Sequence, residues 1–220
     1  MVKSKKLVLE LTIAVCGIFA VLFGLTMFNQ FLLRTFSIPW RMVLMIVTQW
    51  LLFIVPGVLM LANREKLREF GFTKENILRQ VLIGILISLF MSAILTMLPI
   101  LLGYRDLVGS TSYTKAWQFV YEFVYRIIGV ALVEELIFRG YIFHKLLEIK
   151  NSKAFAITLS SLLFGLFHIF NGNLVQVLMT AMIGFIYCML REKIKDCTLL
   201  SLIIAHGLYD ALIVFWVAYL

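Results

Sequence analysis

The chain is predicted to be an all-α, polytopic membrane protein. Of its 220 residues, 62% are hydrophobic and only 15% charged, with a mean hydropathy of +1.00. A soluble domain of this length has no means of hiding that much apolar surface from water. The apolar residues also gather into runs of about 20 residues, the length needed to cross roughly 30 Å of hydrocarbon. Finally, ionisable residues recur inside three of the runs, and charge at membrane depth is expensive enough to mark a functional site in the membrane core.

Seven runs can be read, at 7–33, 42–62, 81–104, 117–143, 154–170, 174–190 and 198–220. Lys3, Lys5 and Lys6 before the first run imitate a secretion signal, but the run is about twice the length of a signal's apolar stretch and lacks a small-x-small cleavage site. It reads as a retained helix. Trp40, Tyr104 and Trp117 stand near run ends, where amphipathic rings anchor at the interface. The polar stretch 63–80 mixes both signs of charge around Phe70-Gly71-Phe72 and reads as a solvated surface loop with a short amphipathic helix ending near Gly71. The fifth and sixth runs are at the short limit, and the seventh is either one helix or a broken, re-entrant pair. The whole chain, 1–220, is expected to form one membrane-embedded domain, with a motif-bearing core over 116–215.

Cytoplasmic loops carry the excess of Lys and Arg. The N-terminal tail, the second loop (Arg64, Lys66, Arg68, Lys74, Arg79), the fourth (Lys145, Lys150, Lys153) and the sixth (Arg191, Lys193, Lys195) hold most of the basic residues. The alternate loops hold only Arg34, Arg41, Arg105 and Lys115. This asymmetry predicts a cytoplasmic N-terminus and accounts for most of the net charge of +8. No basic stretch is long or soluble enough to make nucleic acid a partner. Cys16, Cys188 and Cys197 are odd in number, with no paired spacing, and read as bland apolar-side residues rather than disulfides or metal ligands.

The polar residues inside the runs form three groups: Glu134-Glu135-Leu136-Ile137-Phe138-Arg139-Gly140, Phe164-Gly165-Leu166-Phe167-His168 and His206-Gly207-Leu208-Tyr209-Asp210. Adjacent helical residues point about 100° apart, whereas residues four apart share a face, so Glu135 pairs with Arg139. Glu134 is left without a local partner as the candidate for chemistry, although both acids could instead lock the helix to its neighbours. His168 shares a face with Phe164 and is either a packed histidine or a site residue. His206 and Asp210 share a face too. At about 1.5 Å per residue, Glu134, His168, His206 and Asp210 lie roughly 15, 22, 15 and 21 Å from the cytoplasmic ends of their helices, in one central layer. Such a convergence suits a water-holding cavity in which carboxylate and imidazole act as general base and acid. Glu122 and Arg126, nearer the outer interface, read as a structural ion pair or a gate. Glu10 is expected to snorkel at the end of the first helix, with no further role.

The order and wording of these groups resemble the CPBP family of CAAX proteases and bacteriocin-processing enzymes, also called Abi proteins. That pattern is a double glutamate with a following arginine, then Phe-x-x-x-His, then His-x-x-x-Asn or a near variant. The resemblance implies an intramembrane endopeptidase of glutamic type, needing no metal or other cofactor. Glu134 and His168 would activate the water, Glu135 and Arg139 would support them, and His206 with Asp210 would stabilise the oxyanion. Asp210 departs from the asparagine of eukaryotic CAAX proteases. An ionised aspartate cannot donate to an oxyanion, so it is either protonated by burial or acts through His206. The resemblance further implies a membrane-associated peptide or a lipidated protein terminus as substrate. Small size and a basic cytoplasmic surface favour the group linked to bacteriocin self-immunity or peptide-signal processing, in a bacterial plasma membrane. Other readings are a zinc protease using Glu134, His168 and His206, for which no His-Glu-x-x-His is present, a non-catalytic immunity or scaffold protein binding a toxin peptide or its receptor, and a proton-coupled transporter.

Overall fold

A computed structural model describes residues 2–171 and 174–220, apart from the side chains of Val2, Lys3 and Asn171, so the expectation for the Lys3 side chain lies outside what is described. Seven long helices form a bundle with no strand among the described residues. They are α1 (Val2–Met27, prolonged by wider and tighter turns to Thr35), α2 (Ile38–Ala62), α3 (Ile77–Leu101), α4 (116–149), α5 (Lys153–Phe167), α6 (Leu174–Lys193) and α7 (Leu199–Tyr219). Helices α1, α2, α3, α6 and α7 are long and apolar enough to cross a membrane by length and composition, whereas α5 is apolar but short. The lipid-facing sides are lined with exposed leucine, isoleucine, valine and phenylalanine, as a bilayer solvent requires. This is a helical membrane bundle, and α7 runs unbroken rather than as a re-entrant pair.

Local departures from α geometry have local causes. In α2 a tight turn at Trp50–Phe53 comes just before Pro56, which has no N–H to give the preceding turn. In α3 a wide turn over Ala93–Met97 comes just before Pro99 for the same reason. Residues 63–76 form only one tight turn, Leu67–Phe70, ended by Gly71 at φ +97°. Phe70 is buried against Tyr141 and His144 rather than lying on the surface. The stretch is largely exposed and its short helical turn ends at Gly71, as expected, while Phe70 alone turns inward and closes one end of the bundle.

That end is tied together by polar contacts. Lys145, buried in α4, meets Glu65, Glu148 (3.2 Å) and Glu10 (3.8 Å), and Lys6 reaches Glu10 at 3.4 Å. Glu10 thus belongs to a buried cluster and does not snorkel to water. Arg79 pairs with Asp196 at 2.9 Å, and Arg191 donates to the carbonyls of Phe70 and Arg139. The start of α1, the stretch 63–76, the end of α4 and the α6–α7 junction consequently share one end of the bundle, which we term the basic end.

Helix α7 lies between α3 and α4 and packs along both. Its approach to α4 depends on Gly207, where an added Cβ would fall 2.7 Å from Ile127 Cα, a backbone atom that cannot rotate aside. Gly207→Ala is expected to lower stability by about 1–3 kcal/mol through overpacking. Thermal melting in detergent checks this, with Gly24→Ala, whose added Cβ meets nothing within 4 Å, expected to melt as the parent does.

Candidate active site

Helix α4 is the spine of the site. Two stretches of wide π-type turn, Tyr125–Ala131 and Leu136–Ile142, bracket the single α turn Leu132–Glu135 that carries both glutamates. Wide turns of this kind break the regular backbone ladder and are frequent at functional sites. Two carbonyls in the second stretch accept side-chain donors from other helices. Phe138 O takes the Ser160 hydroxyl at 2.7 Å, and Arg139 O takes the Arg191 guanidinium.

Within this spine Glu135 Oε1 lies 2.9 Å from Arg139 Nη1, with both side chains at 0% exposure. The same oxygen lies 2.9 Å from His206 Nδ1 on α7. The Arg139 guanidinium sits 4.0 Å above the Phe164 ring and 5.6 Å from that of Tyr187, which adds cation–π attraction in a dry setting. Three further helices, α5, α6 and α7, therefore converge on one ion pair of α4.

The other ring nitrogen, His206 Nε2, faces two more carboxylates, Asp210 Oδ2 at 3.7 Å and Glu134 Oε2 at 3.8 Å. Asp210 has a cation behind it: Arg126 Nη1 is 3.7 Å away, and Arg126 Nε is 2.7 Å from Glu122 Oε1. Tyr113 donates to the second oxygen of Glu122 at 3.3 Å. Burial and the Glu122 carboxylate push the Tyr113 phenol up from its ordinary value, which keeps it a donor. The imidazole thus lies between two carboxylates, Glu135 and Asp210, each backed by an arginine.

Glu134 is held differently. It is buried, its Oε2 has no hydrogen-bond partner and no lysine or arginine pair among the described residues, and the nearest ring nitrogen is His206 Nε2 at 3.8 Å. It faces a cavity of about 470 Å³ lined also by His168, His206, Asp210 and Arg126. His168, half-buried beyond the end of α5, has its Nδ1 3.0 Å from Phe164 O. A carbonyl can only accept, so Nδ1 carries a hydrogen and Nε2 is the ring nitrogen left for other partners. The packed-histidine reading and the cavity reading are thus both true of the same ring. No hydrogen bond joins His168 to Glu134 among the described residues; the two meet across the cavity.

All six residues singled out in the sequence come together here: Glu134, His168, His206 and Asp210 line the cavity, and Glu135 with Arg139 lies behind His206. Sequence reasoning missed Arg126 as a partner of Asp210. It saw the Glu122 spacing within α4, but no spacing rule links α4 to α7. Tyr187, buried beside His206, was missed for the same reason. Among the described residues no set of three His, Cys, Asp or Glu side chains is grouped so as to hold a metal ion.

Residues 116–212, which carry Glu122 through Asp210, match the family model described as Type II CAAX prenyl endopeptidase Rce1-like. No curated protein and no solved structure matches the chain. The matched stretch begins with α4 and ends just after Asp210, so it holds every ionisable group of the cavity wall. Over residues 116–212 the chain is thus similar to the Rce1-like type II CAAX prenyl endopeptidases, a family of membrane proteases.

Proposed function

We propose that the cavity hydrolyses a peptide bond by a glutamic-type mechanism, with Glu134 as the general base. The observation that carries this reading is the contrast between two adjacent carboxylates. Glu135 Oε1 is engaged by both Arg139 and His206 and the residue stays out of the cavity wall, whereas Glu134 lines the cavity with no lysine or arginine paired to it among the described residues. A carboxylate so placed can take a proton from water as the water attacks a carbonyl carbon, and His168 Nε2 can share in that transfer. As the tetrahedral intermediate collapses and the C–N bond breaks, that proton is handed on to the departing amine.

His206 is the donor to the oxyanion that forms. Glu135, kept as a carboxylate by Arg139, takes the hydrogen on Nδ1, so Nε2 donates only from the doubly protonated ring. Asp210 stands on the Nε2 side of the ring to balance that charge, with Arg126 Nη1 3.7 Å behind it. Of the two roles open to Asp210, this arrangement favours action through His206. The separations of 3.7 and 3.8 Å at Nε2 exceed hydrogen-bonding distance, and an intervening oxygen can span such gaps. The substrate class is a short membrane-associated peptide or a lipidated protein terminus, in the setting of bacteriocin self-immunity or peptide-signal processing, at a bacterial plasma membrane.

Glu134→Gln and His168→Ala are each expected to abolish cleavage of quenched peptides in detergent while the protein stays folded, and cleavage by the parent chain is expected to survive a chelator. Normal turnover in Glu134→Gln would sink the mechanism and favour a non-catalytic immunity protein. Activity lost to chelator and restored by zinc would favour the metalloprotease reading. A second expectation concerns Arg126. The activity losses caused by Arg126→Gln and by Asp210→Asn should be strongly non-additive, because an uncharged residue 210 no longer needs the guanidinium. Losses that simply multiply would show that Arg126 does not act through Asp210.

A further inference from the structure

The cavity occupies only one half of the bundle. It is lined by α1 from Leu22 to Asn29, by α4 from Tyr125 to Glu134, by α5 and its extension from Phe164 to Phe170, by α6 from Gln176 to Ile183, and by α7 from His206 to Val214. In every case these are the segments farther from the basic end. No lining residue comes from α1 before Leu22, from α4 after Glu134, from α5 before Phe164, from α6 after Ile183 or from α7 before His206. Glu134 is therefore the floor.

Beneath that floor the bundle is solid. Ile137, Phe138, Tyr141 and Ile142 of α4 are at most 1% exposed, and so are Tyr187, Leu199 and Leu202. Arg139 and Lys145 fill the remaining space, and Phe70 closes the end. Away from the floor, the wall turns polar toward the far end, with Thr26, Asn29, Gln49, Gln176 and Thr180, and Asn29 is exposed. A second pocket, lined by Ser110, Thr111, Ser112 and Tyr113, shares Arg126 and Val214 with the cavity. The loop 110–113 belongs to the same far end, since Tyr113 contacts Glu122 near the start of α4.

The end that is sealed is also the end that gathers the lysines and arginines, and loops rich in these residues remain in the cytoplasm. We infer that the catalytic cavity opens on the extracytoplasmic side, so that its substrate is a peptide segment presented from outside the membrane, such as an exported peptide or the outward end of a membrane protein. The opening itself follows from the bundle and the charge asymmetry alone, while the substrate class rests on the protease reading above. It departs from the processing of a lipidated cytoplasmic terminus, which would have to reach Glu134 through the packed basic end.

Thiol labelling tests the opening without requiring activity. Gln176→Cys places a thiol in the wall toward the far end, and Lys66→Cys marks the basic end. The parent chain gives the background. That background is expected to be low, because burial pushes the Cys197 thiol up to about 11, Cys188 is buried within the bundle, and Cys16 faces lipid. Labelling of each denatured protein confirms that both introduced thiols are present. A membrane-impermeant maleimide is expected to label Gln176→Cys and not Lys66→Cys in intact cells, with the pattern reversed in inverted vesicles. Labelling of Gln176→Cys only in inverted vesicles, labelling of both positions from one side, or no labelling of Gln176→Cys from either side would each overturn the inference. A quenched peptide library added to intact cells supplies the second arm, read as the difference between the parent chain and Glu134→Gln. Glutamate-dependent cleavage on intact cells supports the substrate class, and cleavage confined to inverted vesicles overturns it. If labelling follows the expected pattern and neither preparation cleaves, the protease reading fails while the opening stands.

Discussion

The rest of the structure depends on a fully desolvated ion pair, Glu135 with Arg139. Removing two charges from water costs several kcal/mol per ion, and mutual attraction offsets this only when further polar partners take up the remaining valences. Glu135 finds one in His206, and Arg139 finds the faces of Phe164 and Tyr187. Those partners come from α7, α5 and α6, so the pair can be buried only if all four helices close around it. The wide turns of α4 serve the same closure, because the carbonyls of Phe138 and Arg139 are satisfied from α5 and α6. Removing either charge would leave the other without compensation in the middle of the bundle.

This need divides the bundle into two halves of different character. Toward the basic end, arginine, lysine and the surrounding acids are paired and packed, and Phe70 lies over them. Toward the far end the same helices line the cavity, and polar side chains such as Thr26, Asn29, Gln49, Gln176 and Thr180 join apolar ones in its wall. Glu134 and Glu135 stand on the boundary, one residue and about 100° apart, so one faces the packed half and its neighbour the open half. Their surroundings make chemically identical side chains unlike: one is held by Arg139 and His206, and its neighbour lines the cavity.

Much of this was legible in the chain itself where the controlling interaction is local. The apolar runs located the seven helices, and the four-residue spacings anticipated the contacts of Glu135 with Arg139, Glu122 with Arg126, and His206 with Asp210. Contacts between helices were not legible, because nothing in the spacing says that Glu135 meets a histidine 71 positions later or that Arg126 reaches Asp210. Charges near helix ends were misjudged in one consistent way. Lys145 and Glu10 look like solvated residues, yet each is cancelled by acids or bases delivered from other elements. Helix α4 accordingly runs on to Ile149, past the end that its last apolar residues suggested. The turn ending at Gly71 was legible, and what its polar neighbours concealed was the burial of the Phe70 ring.

The solid floor beneath Glu134 also has a consequence for traffic. A cavity closed beneath Glu134 cannot be threaded toward the basic end, so whatever enters must leave on the same side of that floor. Molecules leaving and molecules arriving then share that side. Departure, rather than the chemical event, then becomes the natural point at which such a vessel is throttled.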